Sequence, residues 1–252
     1  MKTAPTTDHN TQDQSRELVI LQLYPNDMNI YGDNGNLQVL VRRLEWYGYK
    51  PLVVTYDQKG SLPKTVDIIV GGGGQDSGQE KIHADLLAVA PKLREWAESG
   101  VPMLLVCGLY QLFGQSFKTL DGTLLEGIGI FDAKTYGTTE RLIGNIVIQH
   151  PEFGEIVGYE NHSGQTYLES SVRPLGSVLK GAGNNIKDRH EGARFKNVIG
   201  TYLHGPVLAK NPVFADFFIK TAAIRRYGSF SSDLIDDSFA DLARNIAKDR
   251  PR

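Results

Sequence analysis

Short apolar segments alternate with amphipathic segments through the first half of the chain, and this alternation limits the fold more than any other feature. Between the apolar segments, hydrophobic residues recur at helical spacing, most clearly over residues 79–99, which we predict to be a helix closed by Gly100. Strands that alternate with helices indicate βαβ units. The sequence therefore predicts an α/β fold with a central, largely parallel sheet flanked by helices. The predicted strands of this half are residues 18–23, 51–56, 66–70 and 101–106.

The remainder of the chain indicates one domain with short extensions. Residues 122–202 are richer in strand-like segments, and helices are predicted near residues 212–227 and 232–248. We predict a single domain over residues 17–230, followed by a C-terminal helical extension over 231–252. Residues 1–16 are polar and lack the apolar core of a secretory signal, so we predict a disordered N-terminal tail.

The charge and cysteine content exclude several classes of function. The formal net charge of the 252 residues is -2, which gives no electrostatic reason to expect binding to nucleic acid or to an anionic membrane surface. No apolar run approaches the roughly 20 residues that cross a bilayer. The single cysteine excludes an internal disulfide and is consistent with a reducing cytosol. We therefore expect a cytoplasmic protein without direct membrane insertion.

That single cysteine, Cys107, directly follows the predicted strand over residues 101–106 and precedes Gly108, the start of a predicted helix over residues 108–117. A tight turn from a strand into a helix lifts a side chain to the carboxyl edge of the sheet, where first-turn N–H groups and the helix dipole favour a thiolate. Cys107 is thus a candidate nucleophile. The alternative is a buried cysteine that acts as a small hydrophobic residue, and position alone does not decide between the two.

A run of four glycines, residues 71–74, follows another predicted strand and supplies a second candidate element. Glycine allows the backbone to approach a ligand closely and to adopt positive φ. An oxyanion hole needs two backbone N–H groups, and we predict that Gly72 or Gly73 provides them together with Gly108. A phosphate-binding loop is the weaker interpretation, because no Gly-Lys-Ser/Thr follows. A flexible turn is the remaining alternative.

A cysteine nucleophile needs a general base, and His162 and His204 are the strongest candidates among the six histidines. His204 follows the strand-like segment 197–203 and precedes Gly205, which places it at the end of a strand. A structural histidine is the alternative at either position. The histidines show no metal-ligand spacing and the chain has one cysteine, so we predict no metal site.

Motifs in a consistent order give a resemblance to a known family. Residues 106–114, Val-Cys-Gly-Leu-Tyr-Gln-Leu-Phe-Gly, resemble the nucleophile turn of the cobyric-acid-synthase-like class I glutamine amidotransferases. Residues 71–76 resemble the oxyanion loop of that family, and residues 158–162 and 200–206 resemble its later motifs. Because the motifs span about residues 17–230 in the family's order, together they are more specific than any one of them.

This resemblance implies a flavodoxin-like fold and a glutaminase that works through a thioester. Cys107 would be the nucleophile and His204 the general base. By the same resemblance, Arg141 would help to hold the glutamine substrate, and Gln111 would lie beside the nucleophile. No cofactor is implied for this chain.

Within the family, residues 21–36, 139–145 and 160–164 resemble the glutaminase subunits of lipid II isoglutaminyl synthases. The resemblance implies a heterodimer in which ammonia passes to a MurT-like synthetase partner of the Mur-ligase family. That partner, with ATP and magnesium, would amidate the D-glutamate α-carboxyl of lipid II in peptidoglycan synthesis. The complex would then work in the cytoplasm, at the inner face of the membrane where its lipid substrate lies.

One position departs from the family pattern. Class I amidotransferases usually place a glutamate two residues after the histidine, where it orients the ring, but this chain has Pro206 there. Either Cys107 and the histidine act as a dyad, or Glu160, Asp76 or an acidic residue of the partner completes the triad. We favour the partner residue at this point, which predicts a weakly active isolated chain.

Other interpretations remain open on the sequence. The acceptor could be a cobalamin-type molecule, the chain could be a cysteine peptidase or deglycase of related fold, or the site could be vestigial in a non-catalytic binding module. The C-terminal extension carries an apolar stripe at helical spacing that would either dock on a partner or, more commonly, pack on its own domain. The stripe consists of Leu234, Ile235, Phe239, Leu242 and Ile246.

Overall fold

The computed structural model describes residues 16–231 and 234–251, which form two sheets and their flanking helices. The strands are β1 (Arg16–Leu23), β2 (Tyr49–Tyr56), β3 (Ile68–Gly71), β4 (Met103–Val106), β5 (Ser116–Lys118), β6 (Leu124–Glu126), β7 (Ala133–His150), β8 (Gly154–Leu168), β9 (Gly176–Lys180), β10 (His190–Glu191), β11 (Ala193–Phe195) and β12 (Val198–Thr201). The helices are α1 (Asn34–Trp46), α2 (Asp76–Glu98), α3 (Gly108–Leu112), α4 (Pro212–Tyr227) and α5 (Ser238–Asp249), with a 3-10 turn at Val207–Lys210. Apart from Arg16, the predicted tail over residues 1–16 lies outside the described residues.

The first sheet has the strand order β2-β1-β3-β4-β12-β11, and every neighbouring pair is parallel except β12 with β11. The parallel part is the flavodoxin-like order of a doubly wound sheet. Strands β3, β4 and β12 are buried along their whole length, because helices cover the sheet: α1 and α4 contact β3, and α3 contacts β4 and β12. The predicted α/β class is confirmed.

The second sheet is mostly antiparallel and is built around a long ribbon of β7 and β8. Its order is β10-β9-β7-β5-β6, with β8 paired along β7. The pairing register of the ribbon shifts between Gly137 and Leu142. Arg141 lies within this irregular stretch, where the ribbon departs from regular pairing. None of the helices within the described ranges is long and apolar enough to span a bilayer.

Four adjacent strands of the first sheet end at one edge. Thr201 of β12 lies beside Val106 of β4, and Gly71 of β3 lies beside Leu105 on one side and Leu23 of β1 on the other. The segments that follow these strands therefore start close together. In open α/β sheets this carboxyl edge is where ligands bind.

The helix after Cys107 is shorter than the sequence suggests. The sequence predicts a helix over residues 108–117, but α3 has five residues and ends at Leu112. Gln115 N–H then donates to the carbonyl of Ala133 at 2.7 Å, and the chain continues into β5, which pairs with β7. Pairing with the second sheet stops the helix here, an effect that local sequence does not report.

The C-terminal helix leaves its apolar stripe exposed. The predicted helix started at residue 232, which lies outside the described residues, whereas α5 begins at Ser238. Its contact with the β7–β8 ribbon centres on Ala247, which packs against Val147 and Val157. Phe239 is 83% exposed, and Leu242 and Ile246 are about half-exposed. The α5 part of the stripe therefore stays exposed, whereas Ile235, which precedes the helix, is partly buried and packs against the main core.

A buried cation ties the C-terminal extension to the main domain. The guanidinium of Arg43 on α1 donates to Asp216 of α4 at 2.9 Å and, through two nitrogens, to Asp237 just before α5 at 2.5 and 3.1 Å. Tyr47 donates its hydroxyl to Asp216 at 2.6 Å, which completes the network. The Arg43 side chain is 5% exposed, so each charge depends on the others for compensation.

Replacing Arg43 with alanine is expected to lower the free energy of unfolding by about 3–5 kcal/mol, because two carboxylates then lose the buried cation that compensates them. Urea unfolding of the purified variant measures the loss. The matched control is Arg42→Ala, since Arg42 forms a solvent-exposed pair with Glu45 and lies over the half-exposed ring of Trp46. Its loss should cost about 1 kcal/mol. Equal losses in the two variants would contradict a structural role for the buried network.

Candidate active site

Cys107 sits on a strained turn between β4 and α3. Its φ and ψ are 52° and -105°, a left-handed conformation that a non-glycine residue rarely adopts. The turn is held on both sides: Cys107 N–H donates to Thr201 O at 2.8 Å, and the Cys107 carbonyl accepts from Gln111 N–H at 3.0 Å. This is the geometry of a nucleophile elbow, which presents the side chain at the start of a helix.

His204 follows β12, and its backbone is paired with β8. Its N–H donates to Tyr159 O at 2.8 Å, and its carbonyl accepts from Tyr159 N–H at 3.1 Å. The ring Nδ1–H donates to Oδ1 of Asp33 at 3.0 Å. Nε2 faces the Cys107 side chain and makes no hydrogen bond of normal geometry with any described residue. The ring is thus anchored on one side and free to take a proton on the other.

The surroundings of His204 favour its protonated form. Burial lowers the pKa of this histidine, but the hydrogen bond with Asp33, the close contact with the Cys107 sulfur and the negative charges of both groups outweigh it and raise the pKa to about 10. A protonated imidazole next to a cysteine sulfur stabilises the thiolate. The pair can therefore hold a thiolate and an imidazolium, which is the reactive form of a Cys–His nucleophile.

Asp33 is the third member of this constellation, and the sequence analysis did not identify it. The aspartate lies on the loop between β1 and α1 and is 5% exposed. Because the Nδ1 of His204 already pairs with a carboxylate of the same chain, Asp33 can take the orienting role, and the acid from a partner stays a prediction. Of the other options, Glu160 accepts the N–H groups of Ala182 and Gly183, and Asp76 opens α2.

The glycine run packs against this loop, and this changes the predicted oxyanion hole. Gly73 N–H donates to Oδ2 of Asp33 at 2.9 Å, so this predicted donor is already committed to the carboxylate. The N–H of Gly74 lies instead beside Gly108, within 3.0 Å of where a Cβ on Gly108 would stand. Gly74 thus lies close enough to Gly108 to replace Gly73 as its partner in an oxyanion hole, and the roles predicted for Gly72 and Gly108 stay predictions.

The position of Gly73 leaves no room for a side chain. A Cβ built on it would stand 2.9 Å from the Cys107 Cβ and 3.2 Å from the His204 Cε1. Real Cβ atoms essentially never show the first distance, and the second is tighter than most contacts, so a side chain here would displace the nucleophile and press on the base. The glycine lets the loop backbone run directly against the catalytic pair.

A pocket of about 410 Å³ opens beside Cys107, a size that suits a small-molecule ligand. Arg141 and Asp76 both line it, so it offers one cationic and one anionic side chain near the nucleophile. Arg141 is held in place by Asn161, whose Oδ1 accepts from Nε at 2.7 Å, and by Tyr31, whose hydroxyl accepts from Nη2 at 2.9 Å.

Gln111 also lines the pocket, within a buried chain of amides and hydroxyls. Gln79 of α2 donates through Nε2 to the Gly108 carbonyl at 3.1 Å and to Oε1 of Gln111 at 2.8 Å. Gln111 donates in turn to the hydroxyl of Tyr202 at 3.0 Å. Gln111 thus lies beside the nucleophile, as predicted, and these bonds brace the first turn of α3. Gln79 could not be predicted, because a helical sequence pattern does not show which polar side chain will bind the turn after Cys107.

His162, the other candidate base, serves a different purpose. Its ring stacks on Tyr202 with centroids 3.6 Å apart, and Nδ1–H donates to Gly164 O at 2.7 Å. Burial lowers the pKa of His162 to about 3, so the ring is neutral at physiological pH. Only His204 combines a carboxylate on one nitrogen with a nucleophile facing the other.

A fully buried carboxyl, Glu191, lies behind the site. Burial, and then the charge of Glu160, raise its pKa to about 8, against the lowering effects of Tyr202 N–H, the Thr201 hydroxyl and the charge of His204. In the unfolded chain the pKa lies near its ordinary value of 4.5. Between these values the folded state binds a proton that the unfolded state does not, so stability falls as pH rises.

Replacing Glu191 with glutamine is expected to make unfolding less sensitive to pH between about 4.5 and 8, because this carboxyl contributes up to about 1.4 kcal/mol per pH unit. Urea unfolding at pH 5 and pH 8 measures the difference. The control is Glu152→Gln, because the exposed carboxylate of Glu152 forms only a surface ion pair, with Arg194. An equal loss of stability from pH 5 to pH 8 in wild type and the Glu191 variant would show that Glu191 does not titrate in this range.

Comparisons with known proteins were made on both sequence and structure. The CobB/CobQ-like glutamine amidotransferase domain matches residues 19–212. The chain is 40% identical over 235 residues to the glutamine-hydrolysing subunit GatD of lipid II isoglutaminyl synthase from Staphylococcus aureus (strain N315), covering 93% of this chain and 96% of that one. It is 38% identical over 237 residues to GatD of Streptococcus pneumoniae (strain ATCC BAA-255 / R6), covering 92% and 90%. A crystal structure of a glutamine amidotransferase matches with a TM-score of 0.56 at 15% identity, covering 81% of this chain and 98% of that one, which shows the fold alone.

Proposed function

The chain belongs to the CobB/CobQ-like glutamine amidotransferase family, whose enzymes act on glutamine, and we propose that it is the glutaminase subunit of a complex that amidates lipid II. The observation that carries the proposal is the convergence of Cys107, His204 and Asp33 beside one pocket. An acyl-transfer reaction needs a nucleophile, a base and an orienting group in this arrangement.

The pocket matches the two charges of an amino acid. We assign the α-carboxylate of glutamine to Arg141, because a guanidinium offers several N–H donors to a carboxylate. We assign the α-ammonium to Asp76. Burial and the nearby Asp121 raise the pKa of this aspartate, and a bound ammonium would offset that effect by favouring the carboxylate. The side-chain amide of glutamine would then reach Cys107.

The first half of the reaction forms a thioester. His204 takes the proton of Cys107, and Sγ attacks the amide carbon of the glutamine side chain. The oxyanion accepts hydrogen bonds from Gly74 and Gly108. The imidazolium of His204 then gives its proton to the amide nitrogen, the carbon–nitrogen bond breaks, and ammonia leaves.

The second half releases glutamate. His204 takes a proton from water, and the resulting hydroxide attacks the thioester carbon. The carbon–sulfur bond of the tetrahedral intermediate breaks, glutamate leaves, and the proton held on His204 returns to the Cys107 sulfur. Each step needs only protein groups and water, so we propose that this chain uses no cofactor.

The acceptor and the partner are assigned through the relatives. Amidation of a carboxyl group requires activation by ATP, which we place, with magnesium, on a MurT-like synthetase of the Mur-ligase family. The two relatives are named as subunit GatD of a glutamine-hydrolysing lipid II isoglutaminyl synthase. These names support a heterodimer that amidates the D-glutamate of lipid II in the cytoplasm. Because Asp33 already orients His204, we expect the isolated chain to hydrolyse glutamine before the partner binds.

The test is glutamate release from L-glutamine by the purified chain, alone and with a co-expressed Mur-ligase-family partner. We expect release in both states, a higher rate in the complex, and transfer of the amide nitrogen to lipid II only in the complex with ATP. Absence of glutamate release in both states would overturn the proposal. Release of glutamate with transfer to a corrin carboxylate instead of lipid II would retain the glutaminase and reject the acceptor.

A further inference from the structure

Tyr31 contacts both Arg141 and His204. It lies on the loop between β1 and α1 and lines the pocket. Its hydroxyl accepts a hydrogen bond from Nη2 of Arg141 at 2.9 Å. Its ring packs on the imidazole of His204, with centroids 4.6 Å apart and planes inclined by 57°. One side chain therefore contacts both the cation on the substrate side and the catalytic base.

The loop that carries Tyr31 is fixed in place by hydrogen bonds on both sides of this residue. Ile30 N–H donates to the carbonyl of Gly73 at 3.1 Å. On the other side, Asp33 accepts the N–H of the same glycine at 2.9 Å. Asn29 also accepts the N–H of Asn34 through its side chain at 2.8 Å. Because the loop is tied to the glycine run on both sides of Tyr31, the backbone of Tyr31 is held in a fixed place beside the site.

The contacts of Arg141 leave part of its guanidinium available. Nε is used by Asn161 and one Nη2 hydrogen by Tyr31, whereas an arginine has five N–H donors. The remaining donors can bind a carboxylate while Tyr31 and Asn161 keep the group in place. Arg141 is itself exposed to solvent at the irregular stretch of β7, so without these two partners its long side chain would be free to move.

The ring of Tyr31 limits the movement of His204 from another direction. Asp33 holds the imidazole through Nδ1 alone, and a single hydrogen bond leaves the ring free to rotate about it. Packing by an aromatic ring restricts this rotation. The ring also covers His204, which is only 3% exposed, on the side where Tyr31 itself lines the open pocket.

We propose that Tyr31 is a positioning residue for glutamine hydrolysis: its hydroxyl holds the Arg141 guanidinium for the substrate carboxylate, and its ring fixes and shields the His204 imidazole. The proposal rests on the glutaminase function proposed above. It predicts that the hydroxyl and the ring affect different kinetic constants, which a merely structural residue would not do.

Tyr31→Phe removes the hydroxyl and keeps the ring. A hydrogen bond to a charged group is lost, so we expect KM for glutamine to rise about 10-fold or more, with kcat within about twofold of wild type because His204 is still packed. Steady-state glutamate release measures both constants. The matched control is Tyr227→Phe: Tyr227 also donates a hydrogen bond through its hydroxyl, to Glu17 O, but it does not line the pocket, and neither constant should change.

Tyr31→Leu removes the ring as well. We expect kcat to fall about 10- to 100-fold beyond the phenylalanine variant, since a small displacement of a catalytic group costs that much. Cys107 is the single cysteine, so its alkylation by iodoacetamide as a function of pH reports the Cys–His pair without glutamine. The midpoint should match wild type in Tyr31→Phe and move to higher pH in Tyr31→Leu, because a loosely held imidazolium stabilises the thiolate less.

An unchanged KM in Tyr31→Phe would overturn the role of the hydroxyl, and a wild-type alkylation profile in Tyr31→Leu would overturn the role of the ring. The alkylation result separates this proposal from the function on which it rests. If wild type released no glutamate, the proposed function would fail, whereas the alkylation midpoints would still decide whether Tyr31 holds His204.

Discussion

Replacing Cys107 with alanine is expected to lower kcat for glutamine hydrolysis by about 10⁶-fold, the loss seen when the nucleophile of a serine protease is removed. Alanine removes only the sulfur. It keeps the Cβ that causes the backbone strain at a φ of 52°, so the turn between β4 and α3 should keep its shape. Without sulfur no thioester forms, and the remaining rate comes from water attacking a bound substrate. A sensitive end-point assay of glutamate release measures the difference in kcat.

Two controls separate loss of chemistry from loss of fold. The urea unfolding midpoint of Cys107→Ala should stay close to that of wild type. A glutamine analogue with an electrophilic side-chain ketone should attach covalently to wild type, which then gains the mass of one analogue molecule. The variant should gain no mass. Substantial glutamate release by the folded variant would rule out Cys107 as the nucleophile.

Replacing Asp33 with asparagine is expected to lower kcat by up to about 10⁴-fold, as the same change does in a serine protease triad. Asparagine can turn its NH₂ toward Nδ1 of His204, which moves the ring proton to Nε2 and leaves that nitrogen unable to accept the thiol proton. The effect should shrink at high pH, where the thiol ionises without help from the base. A profile of kcat from pH 6 to pH 10 tests both statements.

The control for this variant is Asp27→Asn on the same loop. Asp27 pairs with Lys81 at 2.6 Å, away from the base, so its neutralisation should leave kcat unchanged. If Asp33→Asn retained wild-type kcat at neutral pH, the carboxylate would not orient His204. An acid supplied by a partner, the earlier preference, would then return as the explanation.

The sequence predicts those parts of the site that lie directly at strand ends. Cys107 follows β4, the glycine run follows β3, and His204 follows β12 after a short turn. An apolar run that stops at a polar or glycine residue is visible without a structure. Motif order then assigned the roles of nucleophile and base.

Asp33 was missed because its position depends on tertiary structure. It lies 171 residues from His204 in sequence, in a loop rich in Asn, Asp and Gly that looks like an ordinary connection. A signal was nevertheless present: in a flavodoxin-like strand order β1 lies beside β3, so the loop after β1 must border the glycine run. The same argument applies to Tyr31, two residues earlier.

Local sequence pattern also failed where contacts between distant segments of the chain decided the outcome. Gly73 N–H was assigned to the oxyanion, but the path of the neighbouring loop gives this N–H to Asp33. The helix after Cys107 was extended to Phe117, which instead lies in β5. In both cases a backbone hydrogen-bonding group had two available partners, and only the assembled fold selects one.

The separation of the catalytic groups along the chain has a consequence for biosynthesis. Cys107 leaves the ribosome about 100 residues before His204, which at about 5–20 residues per second is a delay of roughly 5–20 s. Until β12 pairs with β4, the thiol does not have His204 beside it. A nascent or truncated chain thus carries an ordinary cysteine, and reactivity toward glutamine or cellular electrophiles arises only when translation has passed the last strand of the sheet.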